Sequence, residues 1–323
     1  MTESAFIRSN IKRWQEFERL LKETKSHSPD QLKKLYLQVT DDLSYADTFY
    51  PGGEASVYLH QLAHKVHSQV NKGHKLSGNR FLKFWSEDLP LVYYKYRKEV
   101  LYSFLVFGLS MLIGAYSASQ DATYARLIMG DYYIDMTEEN IANNDPMAVY
   151  KQAGRLQMSL GITTNNVLVS FYTFALGLFT ALGACFSLLR NGIMLGAFQY
   201  FFYAKGLLWT SALTIWIHGT LEISAIILAG AAGIVLGNSF IFPGSHSRSL
   251  SFQRGARDSL KMILGLVPVF IVAGFLEGYV TRLTEMPDWL KLFIIISSLA
   301  FILFYFVLYP KIIHQAHERI KQP

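Results

Sequence analysis

Cysteine is nearly absent from this chain of 323 residues: Cys185 stands alone. A single thiol cannot close an internal disulfide, and inside an apolar run it reads as a small core filler. No cleavable secretory leader is expected either. Arg8, Lys12, Arg13, Arg19, Lys22 and Lys25 are scattered over the first thirty residues with no continuous apolar core between them, so no cleavage is expected there. No GxxxxGK followed by Ser or Thr occurs, so ATP-driven work would need a separate protein. No Ser–His–Asp set and no pair of carboxylates can be singled out. The chain is therefore expected not to be an enzyme, with no cofactor and no metal site.

Charge is scarce beyond residue 99. Residues 1–99 carry 16 basic and 12 acidic residues of the chain's 54. From Val100 onward uncharged apolar runs dominate. A span needs about 20 such residues, because the hydrocarbon core is ~30 Å thick and a helix rises about 1.5 Å per residue. In lipid each run must satisfy its own backbone, which makes it helical. The implied fold class is all-α: a polytopic helical membrane protein with about six transmembrane helices. An N-terminal cytoplasmic helical domain and an interfacial elbow helix precede them.

Spans are expected near residues 100–119, 167–189, 192–206, 207–242, 260–280 and 289–308, with 120–166 as an outer segment and 310–323 as a tail. Arg190-Asn191-Gly192 reads as an inner turn. The stretch 207–242 is too long for one straight span, so a break is expected near His218-Gly219. Orientation follows from the basic residues. The 120–166 segment has three against six acidic ones, whereas the loop at 242–261 carries Arg248, Arg254, Arg257 and Lys261. The excess of positive charge on the inner side places the chain in the cytoplasmic membrane with both termini in the cytoplasm.

Residues 1–80 read as an amphipathic helical domain. Ile7, Ile11, Trp14, Phe17 and Leu21 recur at helical spacing. Ser28-Pro29-Asp30-Gln31 has the form of a helix start, and Leu32, Leu35, Tyr36, Val39 and Leu43 share one face of the helix that begins there. Pro51-Gly52-Gly53 ends that helix, and a third over 54–71 presents Val57, Leu62, Val66 and Val70. His60, His64 and His67 form a stripe on it that is read as solvated or core-edge, since no cysteine accompanies it; His27 and His74 lie outside the stripe. Residues 81–99 alternate Phe81, Phe84, Trp85, Tyr93, Tyr94 and Tyr96 with charged residues, the pattern of an elbow at the headgroups, bent at Pro90.

Gly192/Gly196 and Gly233/Gly237 are spaced as GxxxG, which marks the third and fourth spans as the centre of the bundle. The charged groups within the spans are Lys205, His218, Glu222 and Glu277, and such groups normally face the protein interior. His218 and Glu222 are one helical turn apart. With Lys205 upstream they form the candidate functional cluster. His218 to Glu222 is also half of a metalloprotease pattern, but the second histidine of HExxH is missing.

The order of these features resembles the stage II sporulation protein M family over nearly the whole chain. The resemblance runs through Asp42-Leu43-x-x-Ala46, Tyr50-Pro51, Tyr58-Leu59, Leu62-Ala63 and Phe84…Leu89-Pro90…Arg97. It continues with Asn165-Asn166, Gly177, Asn191-Gly192…Gly196, His218-Gly219-x-x-Glu222 and the small-residue run through Gly233 to Gly237. It implies a multi-helix, non-enzymatic membrane protein. A sporulation member is implicated in membrane engulfment with peptidoglycan-degrading partners, and many members occur in organisms that do not sporulate. Two functions remain open. One is a scaffold that recruits partners to a cell-envelope complex, in contact with the lipid bilayer and with proteins of the membrane or envelope, with homo-oligomers possible and no nucleic acid. The other is a transporter or channel component that moves a proton or small solute past Glu222.

Overall fold

A computed structural model describes residues 2–22, 29–73, 80–151, 155–283 and 285–321. These residues divide into two compact units, 1–80 and 81–323. Among the described residues the regular structure is entirely helical.

The first unit holds α1 (Glu3–Lys22), α2 (Pro29–Phe49) and α3 (Glu54–Gly73). Its core is Phe6, Trp14 and Phe17 of α1, Val39 and Ala46 of α2, and Ala55, Leu59 and Leu62 of α3. Ile7 and Ile11 are half-buried beside them. Val57 does not join this core and is exposed, because it lies two residues from Leu59 and so on the opposite side of α3. Several polar contacts tie the helices of the unit, among them one between side chains and one that involves the backbone. Trp14 Nε1 donates to Asp42 Oδ2 at 2.8 Å, and the backbone N–H of Ala55 donates to Glu3 Oε1 at 3.0 Å. The latter satisfies one of the donors that the start of α3 leaves without an intrahelical partner. His60 Nε2 lies 3.1 Å from Asp47 Oδ1, and His60 and His64 are both exposed. The Ser28 cap, His27 and His74, and the side chains of Leu21, Leu32, Leu35, Val66, His67 and Val70 fall outside the described residues.

The second unit opens with α4 (Arg80–Lys83), a π-helical turn (Phe84–Asp88) and α5 (Leu89–Lys95). Leu89, Pro90, Val92 and Tyr93 are buried within the unit, so half of the elbow is built into the bundle. Its bend is at Tyr96 (φ −105°, ψ 28°) rather than at Pro90. Pro90 is absorbed differently. The Leu89 N–H reaches back five residues to the Phe84 carbonyl, and the next donor in that series would be the N–H that Pro90 lacks. The Trp85 carbonyl instead accepts from Tyr305 OH at 2.7 Å, and Ser86 accepts from Tyr309 OH at 3.1 Å. Arg97 donates to the Tyr94 carbonyl at 3.0 Å and lies over the Tyr94 ring.

Six long helices come next: α6 (Arg97–Gln120), α9 (Arg155–Leu176), α10 (Ala181–Ala204), α11 (Leu208–Ile241), α12 (Arg248–Phe275, extended by a π turn at Leu276–Thr281) and α13 (Asp288–Leu303). A π turn at Phe304–Leu308 carries α13 into α14 (Tyr309–Lys321). Five of these, all but α9, are long and apolar enough to cross a membrane. In α9 the adjacent Asn165 and Asn166 interrupt the apolar stretch. The outer segment supplies α7 (Tyr124–Met129), α8 (Asp131–Ala142) and a short 3-10 turn (Ala148–Lys151). The chain is a polytopic all-α membrane protein.

Two expected boundaries move. The second and third long helices meet at residues 177–180, not at 190–192, so Arg190, Asn191 and Gly192 lie inside α10. Asn191 is accommodated there by donating to the Ser187 carbonyl one turn back, at 2.8 Å. The expected break at His218-Gly219 is also absent, since α11 runs through 34 residues without interruption. At about 1.5 Å per residue that is roughly 51 Å, well beyond a hydrocarbon core of ~30 Å. Protein covers part of the surplus, although Leu208 and Trp209 at one end and Phe240 and Ile241 at the other are exposed. Leu207 packs against a cluster of Ala125, Ile134, Met147, Phe201 and Phe202, and Ile215 lines a groove with Ile128, Met129 and Tyr133 of the outer segment.

Glycine sets how the long helices approach. A Cβ on Gly192 would meet Phe107 and Ser110, and one on Gly196 would overlap the Met111 carbonyl. The register rises together on α6 and α10, so these helices run parallel. On the other side, Gly230, Gly233 and Gly237 of α11 abut Leu188, Ala184 and Ala181 of α10 in descending order, an antiparallel pairing. Alternating directions are what successive crossings require. The central helix is α11, with 78% of its most apolar stretch buried.

Candidate functional site

The polar groups that this packing brings together are on three helices. His218 and Glu222 are four residues apart on α11 and therefore on one face. Opposite them, the π turn that ends α12 presents Glu277 and Thr281. Such turns insert a residue into the helix and are frequent at functional sites. From α9, Asn166 completes the group.

The contacts are specific. Asn166 Nδ2 donates to Glu222 Oε1. His218 Nδ1 lies 3.0 Å from Thr281 Oγ1, and His218 Nε2 lies 3.6 Å from Glu277 Oε2. One ligand atom from each of His218, Glu222 and Glu277 falls within 4.8 Å of the others. His218 is 4% exposed and Glu277 7%, while Glu222 is half-buried. Glu277 Oε2 is buried and accepts no hydrogen bond among the described residues, a costly state for a carboxylate in an apolar surround.

Of the three residues singled out from sequence, the fold joins His218 to Glu222 and takes Lys205 elsewhere. Lys205 Nζ lies 2.6 Å from Glu138 Oε1 of α8, and Arg126 donates to the other oxygen, Glu138 Oε2, at 2.9 Å. The hydrogen bond from Lys205 holds the Glu138 carboxyl below its ordinary range. Lys205 follows the last residue of α10, so its ammonium reaches the outer segment and ties it to the bundle. The place expected for Lys205 is taken by Glu277, which shows the same sequence signal as Glu222: a lone carboxylate in an apolar run. What sequence could not supply was the register of α12 on α11.

The family-like positions have separable roles. Gly192, Gly233 and Gly237 are sites of close helix approach, whereas a Cβ at Gly219 would have only Ile215 Cγ2 nearby, at 3.8 Å. Asn165 is exposed and its neighbour Asn166 turns inward to Glu222. Pro90 and Arg97 belong to the elbow.

Comparison with known proteins places these features. Residues 103–282 match the family described as stage II sporulation protein M, and residues 4–72 match a domain of unknown function. An uncharacterised protein of Methanocaldococcus jannaschii is 25% identical over 188 residues, covering 57% of this chain and 82% of that protein. No solved structure matches. The family match takes in the whole Asn166, His218, Glu222, Glu277 and Thr281 cluster and more than half of the chain, which belongs to the stage II sporulation protein M family.

Proposed function

We propose that this protein is a non-enzymatic scaffold in the cytoplasmic membrane that recruits partners to a cell-envelope complex. The observation that carries this reading is the close packing of small and apolar residues on α11 beyond Glu222. Along α11, Ala225, Ile226, Leu228, Ala229, Gly230, Ala231, Ala232 and Gly233 are all buried. A conducting path through the centre would need polar or water-filled positions at these depths. Small residues in close contact instead suit a rigid body that holds its two sides at fixed geometry.

Both termini are assigned to the cytoplasm, since the basic residues of 1–99, 242–261 and 311–321 then share one side. Cytoplasmic partners would meet the first unit, where Leu37, Phe49 and Val57 are exposed. Envelope partners would meet the outer segment. Reporter fusions at Met1 and Pro323 test the orientation, and ends on opposite sides would overturn it. Crosslinking in native membranes, followed by purification of the full chain, tests recruitment. The expected result is a defined set of partners that is lost when the exposed residues of the first unit are made charged.

A second reading, movement of a proton or small solute past Glu222, draws on the half-buried state of that carboxylate within a polar cluster. Flux in proteoliposomes that disappears in Glu222→Gln, with the variant still folded, would favour it over the scaffold.

A further inference from the structure

We propose that His218, Glu222 and Glu277 form a binding site for a first-row divalent metal cation, with Zn²⁺ the ion whose ligand preferences the set meets. One imidazole and two carboxylates make a mixed nitrogen and oxygen donor set, which suits zinc better than the all-oxygen sites of calcium or magnesium.

Three observations carry the assignment. First, His218 Nε2 and Glu277 Oε2 stand 3.6 Å apart, too far for a hydrogen bond. Two ligands at ~2.1 Å from one ion at a tetrahedral angle are separated by roughly 3.4 Å. Second, Glu277 Oε2 is buried, accepts no hydrogen bond among the described residues and points into the cluster. Two carboxylates and an imidazole in one buried space cannot all stay charged and unpaired; they either take up protons or share a cation, and a cation would sit at the point the three atoms share. Third, the surrounding contacts are those that orient metal ligands. With His218 Nδ1–H donating to Thr281 Oγ1, the Nε2 lone pair faces Glu277, and Asn166 fixes one oxygen of Glu222 and leaves the other available. Glu222, half-buried on a flexible stem, closes the remaining distance within the 4.8 Å spread. The site would staple α11 to the end of α12, a role separate from partner recruitment or transport.

The test uses the purified full chain in detergent, stripped with a chelator and dialysed against buffered Zn²⁺. The expected result is one zinc per chain by elemental analysis and a thermal midpoint raised by zinc, with both effects lost in Glu277→Gln and His218→Gln and retained in His60→Gln. Thr281→Val keeps all three ligands and should weaken zinc binding about 10–100-fold in competition with a chromophoric chelator. Wild-type protein that retains no zinc, as a shared proton in the cluster would give, overturns the proposal. So does an unchanged stoichiometry in the ligand variants. If those variants do not fold, an unchanged affinity in Thr281→Val overturns it.

Discussion

Asn166 on α9 donates to Glu222 on α11, and in doing so it gives a half-buried carboxylate its link to a third helix of the bundle. Removing the donor leaves Glu222 without that bond in an apolar surround. Asn166→Leu is expected to cost about 1–3 kcal/mol, the range for a buried acceptor deprived of its partner. Glu222→Leu should also lower stability. The double variant should lose less than the sum, because both changes remove one interaction. Thermal unfolding of the four proteins in one detergent decides this, and strict additivity would show that the two side chains act separately.

Close approach between helices predicts a sharp contrast between glycines. Gly196→Ala places a methyl against the Met111 carbonyl of α6, and Gly237→Ala places one against the Ala181 backbone of α10. Neither backbone can yield without separating the helices, so each substitution should destabilise by about 1–3 kcal/mol, the usual cost of overpacking. Gly219→Ala meets only ordinary contact with Ile215 and removes the backbone freedom of glycine. It should be neutral or stabilise by about 0.5–1 kcal/mol. Melting curves showing Gly219→Ala as damaging as Gly196→Ala would contradict this packing.

The Glu138 to Lys205 pair predicts an acid-dependent tie of the outer segment. The folded carboxyl is held below its ordinary value near 4.5. A depressed carboxylate contributes stability that is present above the unfolded value and is lost as pH falls through the folded one. The wild type should therefore be more stable than Glu138→Gln at neutral pH, and the difference should shrink as pH falls below the ordinary carboxyl range and through the lower folded value. The side chains are partly exposed, so salt should shrink the effect as well. Melting curves across the acid range test it; a difference that does not shrink with acid would assign the role of Glu138 to something other than its charge.

Much of this architecture was legible in the sequence because bilayer thickness imposes a length on apolar runs. The number of long helices follows from the length of the apolar runs, and the amphipathic helices of the first unit and the His218 to Glu222 pairing follow from helical periodicity. The errors have a common physical origin. Arg190-Asn191-Gly192 reads as a turn because its residues are polar or small, yet a helix in lipid keeps such residues when a neighbour approaches closely, as α6 does at Gly192. A break at His218-Gly219 is expected because 207–242 is too long for one span, and burial of α11 against its neighbours carries the helix through instead. Lys205 and Glu277 exchange places in the site because contacts between residues dozens of positions apart depend on helix register, which no local pattern encodes.

The elbow offers a prediction in which one covalent feature explains a distant contact. Pro90 has no N–H to return to the Trp85 carbonyl, and the π turn at Phe84–Asp88 leaves that oxygen facing Tyr305, whose hydroxyl lies 2.7 Å away. The tyrosine is therefore read as replacing a backbone donor. Tyr305→Phe should cost about 0.5–1.5 kcal/mol, the net worth of one intramolecular hydrogen bond. In a Pro90→Ala background the restored N–H can serve the same carbonyl, so the cost of Tyr305→Phe there should fall toward zero. Packing of the ring alone would give equal losses in the two backgrounds, because the phenylalanine ring fills the same space in both. A double-mutant cycle read from thermal midpoints separates the cases. Coupling of about 0.5 kcal/mol or more supports the replaced-donor account, and equal losses in both backgrounds would leave Tyr305 as a packing residue beside an unrelated proline.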